Sequence, residues 1–177
     1  IIATGMTHEV ERCRAALRRA AAGAEVALIS SGDPGIYGMA GLAIELAAED
    51  GIEAPIEVIP GVTAASGAAA KLGAPLMVDF AVISLSDRLV SWETIRARVE
   101  AAAAADLVIA LYNPRSRERV AQLDEAVAIL RRCRPATTPV GIATAVGSEN
   151  ERIVVTRLDR LLKFDINMQT IVIVGNR

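Results

Sequence analysis

Aromatic residues and cysteines are scarce in this sequence, and each shortage excludes a class of protein. Aromatic residues make up 3% of the 177 residues, whereas platforms for single-stranded nucleic acid need exposed aromatic rings on which bases stack. The two cysteines, Cys13 and Cys133, lie far apart within helical patterns and form no Cys-x-x-Cys pair. We therefore expect neither a disulfide framework nor a metal site. We also expect the protein to reside in a reducing compartment, the cytoplasm.

The charge and the hydropathy pattern exclude two further kinds of partner. The net charge is −2, without the basic excess typical of nucleic-acid-binding proteins. No apolar run reaches the roughly 18 residues needed to span a bilayer. Hydrophobic residues nevertheless make up 53% of the chain. The composition thus predicts a protein with an aliphatic core and neither a nucleic-acid nor a membrane partner.

Common catalytic motifs are also missing. The one histidine, His8, would have to serve any Ser-His-Asp triad, and no Gly-x-Ser-x-Gly accompanies it. Zinc-protease, P-loop and Gly-x-Gly-x-x-Gly signatures are absent, which argues against a doubly wound nucleotide-binding module. A structural or surface role is the simpler interpretation of His8. No nucleophile and base pair can be assigned, so the catalytic residues stay unknown.

Apolar periodicity predicts strands that alternate with helices. Strands are predicted at 25–30, 56–59, 81–85, 107–112, 140–145, 153–156 and 170–174. Helices are predicted at 8–22 with Thr7 as the cap, at 37–50, from Thr63 to about Leu72, and at 92–104, 116–132 and 158–162. Alternation in the first half indicates parallel pairing, and the closely spaced last strands indicate a mixed sheet with an antiparallel edge. We expect two α/β domains, 1–86 and 91–177.

The start of the chain is unusual for such a domain. It begins Ile1-Ile2-Ala3 without a methionine and enters a predicted helix almost at once. An α/β domain normally begins with a buried strand, so we expect that an N-terminal piece precedes Ile1.

Ser31-Gly32-Asp33-Pro34-Gly35 is the turn most suited to a ligand. It follows a predicted strand, and ligands of open α/β sheets bind beyond the carboxyl ends of strands. Its glycines permit close backbone approach, and Asp33 could accept hydrogen bonds from a ribose hydroxyl or an amine. From the turn alone, a plain Asp-Pro-Gly turn with Asp33 as a helix cap is somewhat favoured.

Two further turns occupy equivalent positions. The segment 60–66, PGVTAAS, joins a predicted strand to a helix of small residues that could lie against a flat ligand. Tight helix packing explains it equally well. Leu111-Tyr112-Asn113-Pro114 ends another strand, and alone it is only a common Asn-Pro turn.

Together these segments resemble one family, the tetrapyrrole methyltransferases. The matching strings, in order along nearly the whole chain, are SSGDPGIYG, IPGVTAASGAAAKLGAPL, FAVISLSD, ALYNPRSRER, TPVGIATAVG and IVIVGN. GDP followed by PGVTA is shared widely in the family. GMTHEVERC, ISLSD, ALYNPRS and VIVGN are similar to the branch that methylates C17 of precorrin-3B or of cobalt-factor III.

The resemblance implies two α/β domains, S-adenosylmethionine in a cleft between them with S-adenosylhomocysteine as the product, and a homodimer. Matched by motif, the cofactor contacts are Gly32, Asp33, Ile36, Thr63, Ala64, Asn113, Ala143 and Thr170. The implied reaction is methyl transfer to C17 of a tetrapyrrole substrate with ring contraction, in cobalamin biosynthesis.

Alternatives remain open at this point. One is another C-methyltransferase of the corrin pathway, and another is a truncated fragment that binds cofactor without catalysis. Two departures from the family concern substrate contacts: Val78-Asp79 stands where relatives often have His-Asp, and Thr144-Ala145-Val146 where Arg-Asn-Ala is usual.

Overall fold

The chain folds into two compact units, Ile1–Thr63 and Ala64–Arg177, called here the N-terminal and C-terminal units. They are seen in a computed structural model that describes residues 1, 3, 5 and 8–177. The predicted cap, Thr7, lies outside the described residues. Each unit has a hydrophobic core of its own.

Two helices form the core of the N-terminal unit. They are α1, Glu9–Ala21, and α2, Ala40–Glu49. Buried Cys13 and Leu17 of α1 pack with apolar residues of α2, as their spacing along one helix face predicts. The predicted second helix begins three residues later than expected, because Tyr37 has a φ of 53° and so lies outside helical geometry.

The predicted strands at 25–30 and 56–59 are wrong for this structure. No strand occurs in the described part of the N-terminal unit. The apolar side chains of these segments are accessible: Ile29 is 82% exposed and Ile59 is 70% exposed. A strand exists only where a neighbouring strand accepts its backbone hydrogen bonds, and these segments have no such neighbour among the described residues.

The C-terminal unit contains the sheet. Its strands are β1 Phe80–Ser84, β2 Val108–Tyr112, β3 Pro139–Thr144, β4 Arg152–Arg157 and β5 Thr170–Val174. Their spatial order is β1-β2-β5-β3-β4, with β1 and β2 parallel and the other three pairs antiparallel. This confirms an α/β fold with a mixed sheet, and all five strands lie within one residue of their predicted bounds. The parallel pairing predicted for the first half of the chain is seen in one pair, β1 with β2.

Three α-helices and one 3-10 helix complete this unit. They are α3 Ala64–Lys71, α4 Trp92–Ala104, α5 Ala121–Cys133 and the 3-10 helix Leu158–Lys163. Helix α5 begins later than the predicted residue 116, because Ser116 and Arg119 hydrogen-bond each other in a closed turn. Within the described residues no helix is long and apolar enough to cross a membrane.

Alternating side chains of the sheet build two apolar layers. Ile109 and Leu111 of β2 face the larger cluster with α4 and α5, whereas Val108 and Ala110 face α3. A Cβ atom added to Gly141 would lie 2.4 Å from Cδ1 of Leu72. The small residues of α3 and β3 therefore let this helix lie close to the sheet.

Strand pairing in the sheet assigns β1 to the C-terminal unit. Ser84 of β1 pairs in register with Tyr112 of β2, so residues 64–86 lie in the C-terminal unit. The domain boundary predicted between residues 86 and 91 does not coincide with the division at Thr63 and Ala64. Strand pairing between β1 and β2 joins the residues on either side of the predicted linker.

Candidate active site

Asp33 links two loops of the N-terminal unit. Its Oδ1 accepts a hydrogen bond of 2.8 Å from the backbone N–H of Gly35, and its Oδ2 accepts one of 3.0 Å from the N–H of Gly61. These loops are the two turns that the sequence analysis singled out. Asp33 therefore closes its own turn and also holds the turn that follows residue 59.

The backbones of these loops approach so closely that only glycine fits at one point. A Cβ atom added to Gly61 would lie 2.1 Å from the carbonyl oxygen of Gly32. Gly32 itself has a φ of +71°, which disfavours other residues. The same contact brings Gly32 next to Thr63, whose Cα lies 3.9 Å from the position of a Cβ on Gly32. Gly32, Asp33 and Thr63 thus lie together, as a shared site requires.

The hydrogen bonds also determine the charge of Asp33. The N–H of Gly61, then those of Gly35 and Ile36, hold the pKa of the Asp33 carboxyl below its ordinary value. Asp33 is ionised at neutral pH, and its carboxylate accepts the hydrogen bonds of these loops. A carboxylate offers about four lone-pair sites, so these three donors leave acceptor capacity that a ligand can use, and the neighbouring Ile36 is 42% exposed.

The candidate residues of the C-terminal unit lie at one end of its sheet. Register pairs Ser84 with Tyr112 and Thr144 with Thr170, and Asn113 directly follows β2. Parallel and antiparallel neighbours bring the carboxyl ends of β1, β2 and β3 together with the start of β5. Sequence spacing alone does not show this meeting.

Asn113 is held in an unusual conformation at this end. Its φ is 49°, a left-handed geometry that asparagine tolerates better than most residues. Its Nδ2 donates to Oγ of Ser84 at 2.9 Å, and its carbonyl oxygen accepts from Nη1 of Arg119 at 3.1 Å. The side chain thus joins the ends of β1 and β2.

Tyr112 is a site residue whose own role the sequence analysis missed. Its hydroxyl oxygen accepts a hydrogen bond of 2.7 Å from the backbone N–H of Ala65, beside the candidate residue Ala64. The first turn of a helix has free N–H groups, so Tyr112 anchors the start of α3 at the sheet. A tyrosine at the end of an otherwise aliphatic strand is the signal that could have indicated it.

Two of the predicted contacts are buried. Ala143 has no exposed surface and packs between the sheet and α3. Thr170 is 4% exposed, and its Oγ1 lies 3.0 Å from Oγ1 of Thr144. They form the wall of this sheet end, and a role in contacting cofactor stays a prediction for them, as it does for the other six candidates.

Arg119 is a second residue that sequence reasoning did not single out. It is buried, and its guanidinium donates to the carbonyl oxygens of Leu85 and Asn113 and contacts Sδ of Met168. Burial lowers its pKa, and the charge of Asp87 opposes that shift. Arg119 therefore braces the loops after β1 and β2 against the segment before β5.

His8 and the acidic and cysteine side chains were the other candidates for catalysis or metal binding. The His8 ring is exposed and hydrogen-bonds Glu11 at 3.0 Å, which agrees with its interpretation as a surface residue. Among the described residues, no group of three or more His, Cys, Asp or Glu side chains could hold a metal ion.

Comparison with known proteins defines the class. The sequence profile of the tetrapyrrole (corrin/porphyrin) methylases matches residues 4–162, and the chain belongs to this family.

Individual relatives narrow the comparison. The chain is 49% identical to the probable cobalt-factor III C(17)-methyltransferase of Salmonella typhimurium, covering 100% of the chain and 73% of the relative. It is 49% identical to the cobalt-factor III methyltransferase of Priestia megaterium, covering 99% of the chain but only 33% of that protein. It is 43% identical to the precorrin-3B C(17)-methyltransferase of a Sinorhizobium species, covering 99% and 70%.

Solved structures agree with this fold. The crystal structure of the methyltransferase CobJ superposes with a TM-score of 0.91 at 37% identity, covering 98% of this chain and 73% of that one. The uroporphyrin-III C-methyltransferase of Thermus thermophilus, complexed with S-adenyl homocysteine, has a TM-score of 0.72 at 22% identity, covering 96% and 74%. The second likeness concerns the fold alone.

Proposed function

We propose that this chain belongs to an S-adenosylmethionine-dependent enzyme of cobalamin biosynthesis that methylates C17 of cobalt-factor III or precorrin-3B and contracts the macrocycle. The observation that carries the proposal is the 49% identity, over 100% of the chain, to a probable cobalt-factor III C(17)-methyltransferase.

The loop pair of the N-terminal unit fits one part of the proposed cofactor. An ionised, half-buried Asp33 suits the ammonium group or a ribose hydroxyl of S-adenosylmethionine, because each donates hydrogen bonds. The contact of Gly32 with Gly61 leaves no side chains between the two backbones. A ligand can therefore meet backbone groups of both loops directly.

The sheet end of the C-terminal unit fits a different part. Small Ala64 begins α3, and Tyr112 holds the next backbone N–H. Asn113 closes the end of β2 with its side chain bound to Ser84. A flat, largely apolar group such as an adenine ring can lie against such a wall, with backbone groups available for hydrogen bonds.

These residues explain how methyl transfer proceeds without a nucleophile and base pair. When bound, S-adenosylmethionine supplies a sulfonium methyl group that is already strongly electrophilic. The chain's residues then need to bind and orient the two reactants, which can lower the barrier by about 7–11 kcal/mol in well-aligned systems. Asp33 orients through its charge, and Tyr112 and Arg119 keep the surrounding loops in place.

Single-turnover assays test this proposal. The protein is incubated with S-adenosylmethionine carrying a labelled methyl group and with cobalt-factor III or precorrin-3B in parallel. We expect the label to appear at C17 of one of the two macrocycles, and mass spectrometry to detect a gain of one methyl group. No transfer to either compound, with the protein folded and S-adenosylhomocysteine bound, would exclude this reaction.

The family resemblance also leads us to propose a homodimer in the cytoplasm. Light scattering coupled to size-exclusion chromatography measures the mass in solution. A monomer at micromolar concentration would contradict the dimer, and fractionation of cells tests the compartment independently.

A further inference from the structure

A groove opens beside the sheet end that carries Asn113 and Thr170. It has a volume of about 390 Å³ and is formed by the loop after β2 and the segment before β5. Its lining residues are Arg115, Ser116, Arg117, Ile166, Asn167, Met168 and Gln169. Because β2 and β5 are antiparallel neighbours, these two segments meet at the same end of the sheet.

The groove is cationic. Two arginines and no acidic residue line it. Arg117 is exposed and pairs with no side chain of the described residues. Arg115 is held at 3.0 Å by Asp124 through Nη2, while its buried Nε has no hydrogen-bond partner. The two guanidinium groups therefore keep donors that the protein's own atoms do not use.

Hydrogen bonds and a sulfur contact hold the segments that form the walls of the groove. Arg119 contacts Sδ of Met168 in one wall and donates to the carbonyl oxygen of Asn113 at the base of the other. Asn167 Oδ1 accepts from the N–H of Gln169 at 2.9 Å. These contacts fix the segment before β5 that forms one wall of the groove.

We propose that this groove binds a carboxylate side chain of the tetrapyrrole substrate, with Arg117 as its principal partner and Arg115 beside it. The inference rests on the proposed function, because macrocycles derived from uroporphyrinogen carry acetate and propionate groups. Guanidinium groups bind carboxylates through paired, charge-assisted hydrogen bonds. Such contacts determine substrate affinity and orientation rather than the chemistry of methyl transfer.

Binding of uroporphyrin III tests the groove without any need for turnover. This octacarboxylate is titrated into the parent protein and into Arg117→Gln, Arg117→Lys and Arg98→Gln. We expect Kd to rise about tenfold in Arg117→Gln, from the loss of one charge-assisted contact, and less in Arg117→Lys. Arg98 is an exposed arginine of α4 outside the groove, so its variant should bind as the parent does.

Three results would overturn the assignment. They are equal binding by the parent and Arg117→Gln, absence of uroporphyrin binding by the parent, and displacement of the porphyrin by equimolar pyrophosphate, which would indicate a phosphate site. Calorimetry with S-adenosylhomocysteine separates this inference from the proposed function. Arg117→Gln should leave that affinity unchanged, whereas failure of methyl transfer in the parent would concern the proposed reaction and not the groove.

Discussion

Replacement of Gly61 by alanine should separate the two loops that form the N-terminal half of the candidate site. The added methyl group would lie 2.1 Å from the carbonyl oxygen of Gly32 and 3.1 Å from its carbonyl carbon. Both are backbone atoms, so no side-chain rotation relieves the overlap. The loops must move apart, and the 3.0 Å hydrogen bond from Gly61 to Asp33 is then lost.

The cost follows from these two alternatives. Keeping the loops together incurs the strain of an overpacked site, about 1–3 kcal/mol. Separating them loses the hydrogen bond from the N–H of Gly61 to the Asp33 carboxylate. The protein adopts whichever of the two responses costs less free energy, so the two costs do not add. If the closed loop pair is the form that binds cofactor, a cost of about 1–3 kcal/mol should lower the affinity for S-adenosylhomocysteine by about 5- to 150-fold.

Isothermal titration calorimetry measures this loss, and Gly41→Ala is the matched control. Gly41 lies in α2, where an added Cβ meets nothing within 4 Å, and alanine favours helices by about 0.5–1 kcal/mol. The control should bind as the parent does and melt at the same temperature or higher. Parent-like affinity in Gly61→Ala would refute the reasoning. If the parent itself does not bind, amide hydrogen exchange at the loops still tests their contact.

Other predictions concern the supports of the fold and site. Arg134→Met should lower the free energy of unfolding by about 2 kcal/mol in urea titrations, since this buried guanidinium donates to three backbone carbonyl oxygens. Arg131→Met, at an exposed position of α5, the helix that Arg134 directly follows, should change it by less than about 0.5 kcal/mol. Tyr112→Phe removes the acceptor for the N–H of Ala65. Hydrogen exchange of that amide should become about tenfold faster, for a loss near 1.4 kcal/mol. An unchanged exchange rate would contradict the anchoring role of Tyr112. The lowered pKa of Asp33 means that its stabilisation is present above about pH 4 and is lost as the pH falls through the lowered value. An NMR titration of loop amides should show this transition in the parent and not in Asp33→Asn.

The strands of the C-terminal unit could be predicted because their buried side chains form continuous apolar runs in the sequence. In β5 every residue is buried, and in β2 only Tyr112 is not, so continuous apolar runs marked both strands. Turn residues such as Asn113-Pro114 marked where they end. The strand order could not be predicted, because several orders bury the same runs equally well.

The N-terminal unit shows the limit of the same reasoning. The segments 25–30 and 56–59 are rich in the apolar, β-branched residues typical of strands, yet they form no strand among the described residues. A run records the preference of side chains for burial, whereas a strand needs a neighbour for its backbone. Only the second condition distinguishes these segments from β2 and β5.

The sequence by itself determined the family, the α/β class and the two loops around Gly32 and Gly61, because these depend on local residue order. The tertiary structure alone decided what Asp33 does. A helix cap and a ligand contact were both compatible with the turn, but a hydrogen bond to an amide 28 residues along the chain is invisible to local pattern. It exists only because Gly61 lets the two backbones meet.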